Sequence, residues 1–141
     1  NQMRITFASS ENAGNDKRAR YAIDGKPETI WHTQFVPAIK KHPHELVIDL
    51  GNESIIRGFR YMSRQDNGWN GALKDVEFSV SNDSEEFGEP VLKATLRKTR
   101  SVQDLKCKPT KGRYVRLRAL SEVNNGPWAS VAEFGVLGKG F

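Results

Sequence analysis

The sequence has one cysteine and no long apolar run. Cys107 is the single cysteine of the 141 residues, so no disulfide can form within the chain. No apolar stretch reaches the roughly 18 residues that a membrane-spanning helix needs. Hydrophobic residues make up 37% and charged residues 28%, as in globular domains. We expect one domain over residues 1–141, held together by its core, with or without a metal, and not inserted into a membrane.

Signatures of catalysis are also missing. The chain has no Gly-x-Ser-x-Gly motif, no phosphate-binding loop and no set of three histidines suited to a metal. A glycosidase needs two carboxylates across a sugar cleft. Asp49, Asp75 and Glu77 are instead expected on strand faces. We therefore predict a domain that is not an enzyme.

The chain has fewer acidic than basic residues, with 17 Asp and Glu against 22 Lys and Arg, so its net charge is +5 and its pI is near 9.5. Such a balance raises nucleic acid or an anionic surface as a partner. The densest basic stretch, from Arg97 to Arg118, alternates with apolar residues, as the solvent-facing side of a strand does. No nucleic-acid motif accompanies it, so nucleic-acid binding would rest on charge alone, and we do not expect it.

Period-two alternation predicts several short strands. Val76, Phe78 and Val80 alternate with polar residues in the clearest such run. We expect a turn at Gly51-Asn52, and loops without helix over residues 1–20 and 34–44. The last strand is expected to close the chain beside its start. Short strands separated by turn residues indicate an antiparallel β-sandwich. The predicted strands cover residues 46–50, 55–62, 76–81, 91–96, 101–106, 115–119 and 134–136.

The segment from Tyr21 to Thr33 predicts a constrained loop. Asp24-Gly25 is a tight-turn pair, and Pro27 fixes the backbone two residues later. Asp24 and Thr29 offer hard oxygen ligands of the kind that calcium prefers, and Glu133 is a source of further negative charge. An ordinary turn without metal fits the same spacing.

Six short motifs occur in order along the chain. They are Ala-Ile-Asp-Gly at 22–25, Thr-Ile-Trp-His-Thr at 29–33, Leu-Val-Ile-Asp-Leu-Gly at 46–51, Gly-Phe-Arg-Tyr-Met-Ser-Arg-Gln at 58–65, Tyr-Val-Arg-Leu at 114–117 and Ala-Glu-Phe at 132–134.

This ordered set resembles the discoidin, or coagulation factor 5/8 C-type, domains. Within that superfamily it is similar to the family 32 carbohydrate-binding modules of bacterial glycoside hydrolases. The resemblance runs from about Thr6 to Gly138. It implies an all-β, eight-stranded jelly roll of the galactose-binding-domain-like type.

The resemblance also implies a sugar site. Sugars are bound by planar polar side chains that bracket hydroxyls and by aromatic rings that cover C–H faces. By family pattern, His32 and Arg64 hold the axial 4-hydroxyl of a galactose-type sugar and Asn70 takes a neighbouring hydroxyl. Asn15 stands where some members have glutamate. The stacking ring is expected from Phe35 or Trp128, and Trp69 is an extra aromatic that would widen the contact to a second sugar.

The sequence alone also allows purely structural roles for these residues. His32 alone would suit a satisfied loop or core position, and Arg64 would equally suit an ion pair with Asp66 or Glu122. Trp31 is expected in the core, on the side of the strand opposite His32. His42 and His44 flank Pro43 and resemble a metal pair only superficially.

For the metal, the resemblance implies a structural calcium ion. Its expected ligands are the Asp24 and Glu133 carboxylates, the hydroxyl and carbonyl of Thr29, and the backbone carbonyls of Tyr21, Lys26 and Ala132.

The resulting functional hypothesis is a non-catalytic module that binds glycans with terminal galactose or N-acetylgalactosamine units. We expect a monomeric unit excised from a larger protein with a catalytic domain in the same chain, and a secreted, periplasmic or cell-surface location. The alternative hypothesis is a protein- or membrane-adhesion domain with Trp69 and Trp128 as apolar spikes.

Overall fold

The computed structural model describes residues 3–138. Eight strands and two 3₁₀ helices make up its regular structure. The strands are β1 Arg4–Ala8, β2 Trp31–His32, β3 His44–Met62, β4 Asp75–Ser81, β5 Leu92–Thr95, β6 Gln103–Ala119, β7 Ser130–Val131 and β8 Glu133–Leu137, and the 3₁₀ helices are Ala13–Asn15 and Ala19–Ile23.

Two long strands, β3 and β6, form the centre of the main sheet. They pair antiparallel from His44 with Ala119 to Tyr61 with Gln103. On the other side of β3, β1 pairs with its first half and β8 with its second half. Strands β4 and β5 extend the sheet beyond β6, and β2 pairs with β7 separately. All these pairings are antiparallel, which confirms the all-β class predicted from the sequence.

The core is built where the two halves of β3 meet across the sandwich. Phe59, in the second half, stacks on Phe78 of β4 with ring centroids 4.3 Å apart and planes 6° apart. Phe134 of β8 stacks 6.1 Å from the same Phe78 ring. Trp31 is completely buried, and its Nε1 donates to Ser10 O at 2.8 Å. Its predicted core position is therefore confirmed.

The predicted turn at Gly51-Asn52 is wrong. Strand β3 continues through it, with a shift in its register to β6 between Asp49 and Ser54. Gly51 has φ 90°, a conformation that favours glycine, so the strand bends there without ending. The predicted strands over 101–106 and 115–119 likewise belong to one strand, β6, because its pairing with β3 continues between them.

Two further expectations about local structure are wrong. The predicted loops contain the 3₁₀ helices Ala13–Asn15 and Ala19–Ile23, which are too short to show a helical periodicity. Strand β8 pairs with β3 and not with β1 at the start of the chain.

A buried carboxylate stabilises the bend in β3. Asp49 is 1% exposed, accepts hydrogen bonds from Arg113 and Arg4, and accepts one from Gly51 N at 2.8 Å. The hydrogen bonds from Arg113, opposed in part by burial, hold the pKa of Asp49 well below its usual value of 3.8. This carboxylate therefore stabilises the fold in its ionised form.

We predict that Asp49→Asn lowers the free energy of unfolding by about 2 kcal/mol, because it removes the charge from a buried network. Urea denaturation at pH 7 measures this loss. Asp104→Asn is the matched control, since Asp104 pairs with Arg60 on an exposed surface and should contribute about 0–1 kcal/mol. The native pKa of Asp49 lies below the unfolded one, so its contribution is present above pH 3.8 and should disappear as the pH falls. Equal losses for both variants would contradict the prediction.

Candidate functional site

Loops at one end of the sandwich enclose a pocket of about 180 Å³. Six of the seven predicted sugar-binding residues line this rim pocket, together with a lysine and an isoleucine that sequence reasoning missed. The lining residues are Asn15, Lys17, Ile30, His32, Phe35, Arg64, Asn70 and Trp128. Trp69 is not among them. The structure therefore brings together residues that are up to 113 positions apart, from Asn15 to Trp128.

The short β2–β7 ladder brings the histidine and tryptophan segments together. His32 pairs with Ser130. Thr33 N donates to Ala129 O at 3.0 Å, and Ala129 N donates to the Thr33 hydroxyl at 3.0 Å. These reciprocal bonds place the His32 ring 5.1 Å from the Phe35 ring and 6.1 Å from the Trp128 ring.

The imidazole of His32 has a defined proton arrangement. Its Nδ1 lies 2.7 Å from the carbonyl oxygen of Thr33, and a carbonyl can only accept, so Nδ1 carries the proton. Burial lowers the pKa of His32 below its ordinary 6.5, and the nearby Arg64 charge lowers it further, against the Thr33 hydrogen bond. His32 is therefore neutral at pH 7, with Nε2 as a hydrogen-bond acceptor.

The guanidinium of Arg64 is held in place by its own loop. Its Nε and Nη2 each donate to the Asp66 carboxylate at 2.8 Å, and Nη1 donates to Asn70 O at 2.9 Å. The ion pair with Asp66 that the sequence left open is thus present. Arg64 holds the pKa of Asp66 at about 2. Of five N–H groups in a guanidinium, these bonds use three and leave two for a ligand.

Two asparagines are oriented by neighbours that sequence reasoning missed. Asn124 Nδ2 donates to Asn70 Oδ1 at 3.0 Å, and Asn12 Nδ2 donates to Asn15 Oδ1 at 2.7 Å. Asn12, only 3% exposed, also accepts from Phe35 N at 3.1 Å. Because each carbonyl end is occupied, Asn15 and Asn70 keep their NH₂ groups as donors.

Glu122 connects two of the loops around the rim pocket. It is completely buried, and its Oε1 accepts from Gly71 N at 2.9 Å while Oε2 accepts from Trp128 N at 3.0 Å. Arg64 therefore pairs with Asp66, and Glu122 bonds to the backbone of the two loops.

The donor at position 71 must be a glycine. Gly71 has φ 86°, and a Cβ there would lie 2.7 Å from Ser130 N.

Trp69 supports the arginine loop from outside the pocket. The Arg100 guanidinium lies 3.6 Å from the centre of its ring, and Lys98 Nζ lies 5.2 Å away. Arg100 Nη1 donates to Arg64 O at 2.6 Å and to Gly68 O at 2.9 Å. The structure thus places Trp69 against a cation that anchors the loop, and this residue is not among those that line the rim pocket.

Four of the six predicted calcium ligands, Asp24, Lys26, Thr29 and Glu133, lie together near the start of β8. Strand β8 packs against the 3₁₀ helix Ala19–Ile23. The Thr29 hydroxyl donates to Asp24 Oδ2 at 2.5 Å and lies 3.0 Å from Lys26 O. Glu133 is 2% exposed, and its Oε1 is buried without a hydrogen-bond partner in the described chain. Burial first, and then the neighbouring Asp24 carboxyl, raise the pKa of Glu133 to about 8, against hydrogen bonds from the backbone of Lys26 and Gly25.

This chemistry fits a hard cation. A buried carboxylate oxygen without a donor, beside a second carboxylate, would be satisfied by a positive ion. Within residues 3–138, no group of three or more His, Cys, Asp or Glu side chains is placed to hold a metal. Any ion at Asp24 and Glu133 would therefore also need hydroxyl and carbonyl oxygens, as calcium does.

The remaining two predicted ligands, Tyr21 and Ala132, are expected to bind through their backbone carbonyls. The side-chain hydroxyl of Tyr21 donates to Asp16 Oδ1 at 2.8 Å, and Tyr21 lies in the 3₁₀ helix that packs against β8. Ala132 is buried directly before Glu133, and its N–H donates to Met62 O at 3.0 Å. Their role as ligands stays a prediction.

Comparison with known proteins places this architecture in a family. The family model of the F5/8 type C domain matches residues 5–134. The chain belongs to this family. A curated relative is a sialidase of Micromonospora viridifaciens, which is 35% identical over 98% of this chain. The chain spans about a fifth of that relative's length, 22%.

Solved structures of family 32 carbohydrate-binding modules share this F5/8 type C fold. One is CpGH89CBM32-5 from Clostridium perfringens, in complex with GalNAc-β-1,3-galactose, with 35% identity and a TM-score of 0.86 over 96% of this chain and 94% of that one. Another is the family 32 module of NanJ from C. perfringens in complex with galactose, with 26% identity and a TM-score of 0.83 over 96% and 93%. The F5/8 type C domain described here is thus a jelly-roll sandwich like these modules.

We predict that Glu122→Gln lowers the free energy of unfolding by about 2 kcal/mol, because an amide NH₂ cannot accept and leaves one buried N–H unpaired. Urea denaturation measures the change, and the exposed Glu89→Gln is the matched control. A loss no larger than that of the control would show that the carboxylate does not hold the two loops.

Proposed function

We propose that this domain is a non-catalytic module that binds a terminal galactose or N-acetylgalactosamine unit in the rim pocket. The observation that carries the proposal is the convergence of one acceptor, four sets of donors and two rings on a single pocket. The acceptor is His32 Nε2, and the rings are Phe35 and Trp128. The donors belong to Arg64, Asn70, Asn15 and Lys17. The solved relatives that hold galactose-containing ligands support it.

The proposed binding mode follows from the hydrogen-bond inventory. A hydroxyl placed between His32 and Arg64 can donate to Nε2 and accept from the guanidinium at the same time. An axial hydroxyl projects out of the ring plane and leaves the flat C–H face free for Phe35 or Trp128. At about 180 Å³ the pocket suits one sugar ring. We expect a weak affinity, with Kd about 0.1–1 mM, because a shallow site leaves much of the sugar in water.

The acids near the rim pocket support a binding role without catalysis. No carboxylate is among the described residues that line the pocket. Asp66 is paired with Arg64, and Glu122 accepts from two backbone N–H groups. Hydrolysis of a glycosidic bond needs two available carboxyl groups across the sugar. We propose that catalysis belongs to another domain of a longer protein, a glycoside hydrolase that this module directs to its substrate.

We propose, further, a secreted, periplasmic or cell-surface location and a monomeric module. In the described part of the chain, no helix has the length and apolar character needed to cross a membrane.

The observed contacts favour sugar binding over the adhesion alternative. Trp69 would have to project as an apolar spike, yet its ring carries Arg100 at 3.6 Å. The basic residues of β6 do not favour nucleic acid either. Arg113 is paired with Asp49, and Arg118 is paired with Glu45.

The first test is His32→Ala. We predict at least a tenfold loss of affinity for galactose, lactose and N-acetylgalactosamine, because the acceptor for the axial hydroxyl is removed. Isothermal titration calorimetry measures it, with an unchanged melting temperature as the check on folding. Glucose, whose 4-hydroxyl is equatorial, should bind the unmodified protein more weakly than galactose. Equal galactose binding by both proteins would refute the rim pocket as the site.

The second test is the pH dependence of binding. The pKa of His32 lies below 6.5, so galactose affinity should be constant between about pH 7 and 8 and fall as the pH drops below 6. Protonation would turn Nε2 into a donor and add a positive charge to a pocket that Arg64 and Lys17 already line. Titrations across this range in one buffer series measure the effect. A rise in affinity on acidification would contradict the proposed acceptor.

We also propose a structural calcium ion at Asp24 and Glu133, with oxygens of Thr29, Tyr21, Lys26 and Ala132 completing its coordination. When bound, the ion would neutralise the buried carboxylate pair and tie the loop after the 3₁₀ helix to β8. The buried Glu133 oxygen without a donor supports this proposal.

The calcium proposal predicts that excess EDTA lowers the melting temperature and that added CaCl₂ restores it. Differential scanning calorimetry measures both. Glu133→Gln should abolish the difference between the two conditions, because it removes the charge that the ion would neutralise. Sugar affinity should change less than the melting temperature, at temperatures where the domain stays folded. A melting curve of the unmodified protein that EDTA leaves unchanged would count against an accessible ion.

A further inference from the structure

A second and larger cavity, of about 430 Å³, lies on the outer face of the main sheet. We call it the sheet cavity and define it by Phe7 of β1, Glu45 and Val47 of β3, Arg116 of β6, and Glu85 and Phe87 of the loop between β4 and β5. It shares no lining residue with the rim pocket. Its volume falls within the range of about 300–1,000 Å³ that is typical of small-molecule sites.

A β-bulge turns one wall of the sheet cavity outward. Ile5 pairs with Ile48, whereas Phe7 pairs with Val47, so the register shifts between them. Without this shift, Phe7 would lie two residues after Ile5 on the same, inward face. The bulge instead leaves the Phe7 side chain on the outer face, where the residue is 50% exposed. Bulges often re-aim a side chain beside a functional site.

The opposite wall comes from the loop between β4 and β5. The Phe87 ring lies 4.9 Å from the Arg116 guanidinium. The loop is held by its own hydrogen bonds, since the Ser81 hydroxyl donates to Glu86 O at 2.7 Å and Asp83 accepts from Glu85 N at 2.8 Å. The floor is Val47, 4% exposed although it is on the outer face. The loop and the sheet therefore shape the cavity through their own contacts.

The charges around the sheet cavity balance. Arg118 Nε donates to Glu45 Oε2 at 2.6 Å, and Arg116 Nε lies 3.9 Å from the same oxygen, which is too long for a hydrogen bond. With Glu85, the set holds two positive and two negative groups. Arg116 Nε makes no hydrogen bond within the described residues. A ligand with hydroxyls would suit these groups, and an anion would meet two carboxylates.

We propose that the sheet cavity is a second binding site for a neutral saccharide, independent of the rim pocket. The exposed Phe7 ring suits the C–H face of a sugar ring. The Arg116 guanidinium that lies over Phe87, the carboxylates, and the hydroxyls of Thr6 and Ser84 suit the sugar hydroxyls. A wholly apolar partner would desolvate Arg116 and the Glu85 carboxylate without offering either a hydrogen bond, at a high cost in free energy.

The test uses the ¹⁵N-labelled chain carrying His32→Ala, so that loss of the rim pocket does not obscure the second site. Galactose, N-acetylgalactosamine, lactose and cellobiose are titrated to about 50 mM and followed by heteronuclear NMR. We expect at least one of them to shift the amide signals of Phe7, Val47 and Phe87 in a saturable way. Galacturonic acid should bind more weakly than galactose, because of the two carboxylates.

Variants of the walls complete the test. Phe7→Leu keeps an apolar side chain without the aromatic ring, and Phe7→Ala removes it, so we expect affinity losses of about threefold and tenfold. The matched control is Ile55→Ala, since Ile55 is 49% exposed on β3 and does not line the sheet cavity. The proposal is overturned if no neutral sugar shifts these signals, if Phe7→Leu and Phe7→Ala bind like the control, or if galacturonic acid binds best.

Discussion

The rim pocket depends on one buried carboxylate. Glu122 accepts hydrogen bonds from the backbone of Gly71 and of Trp128, and so joins the loop that carries Arg64 and Asn70 to the loop that carries Trp128. A buried charge is costly unless its oxygens are paired, so the loops and the carboxylate require one another. The hydrogen bonds that satisfy this buried carboxylate thus also hold in place the two loops that form the pocket.

The other side chains of the rim pocket are held by the same type of contact. Asn12 orients Asn15 and accepts from the backbone of Phe35, and Asn124 orients Asn70. None of these supporting groups lines the pocket. Donors and acceptors that are fixed before a ligand binds reduce the entropy that binding must offset. For the proposed sugar, which would make only a few contacts, this preorganisation matters most.

Sequence reasoning anticipated the fold class and most residues of the rim pocket. Period-two alternation marked the core strands, and the motifs around His32 and Arg64 pointed to residues that the structure brings together. The hydrogen bonds that support the pocket could not be predicted, for a physical reason. Glu122 lies 51 positions from Gly71, and Asn124 lies 54 from Asn70, so local pattern could not reveal those hydrogen bonds.

Three local departures from the expected structure, at Phe7, Gly51 and Trp69, could not be predicted from the sequence either. A one-residue bulge reverses the face on which Phe7 lies, and alternation alone would have assigned it to the core. Gly51 looked like a turn because glycine suits turns, but pairing with β6 on both sides keeps the strand continuous. Trp69 looked like a ligand contact, and only the position of Arg100 shows its supporting role.

The bonds that Glu122 makes have a consequence for how such a domain can diversify. They reach backbone N–H groups, and every residue type except proline supplies that donor. A change of side chain at position 128 therefore leaves the donor to Glu122 in place, whereas position 71 must remain glycine. If the rim pocket binds the proposed sugar, a residue that contacts the ligand could vary while the hydrogen bonds that join the two loops persist.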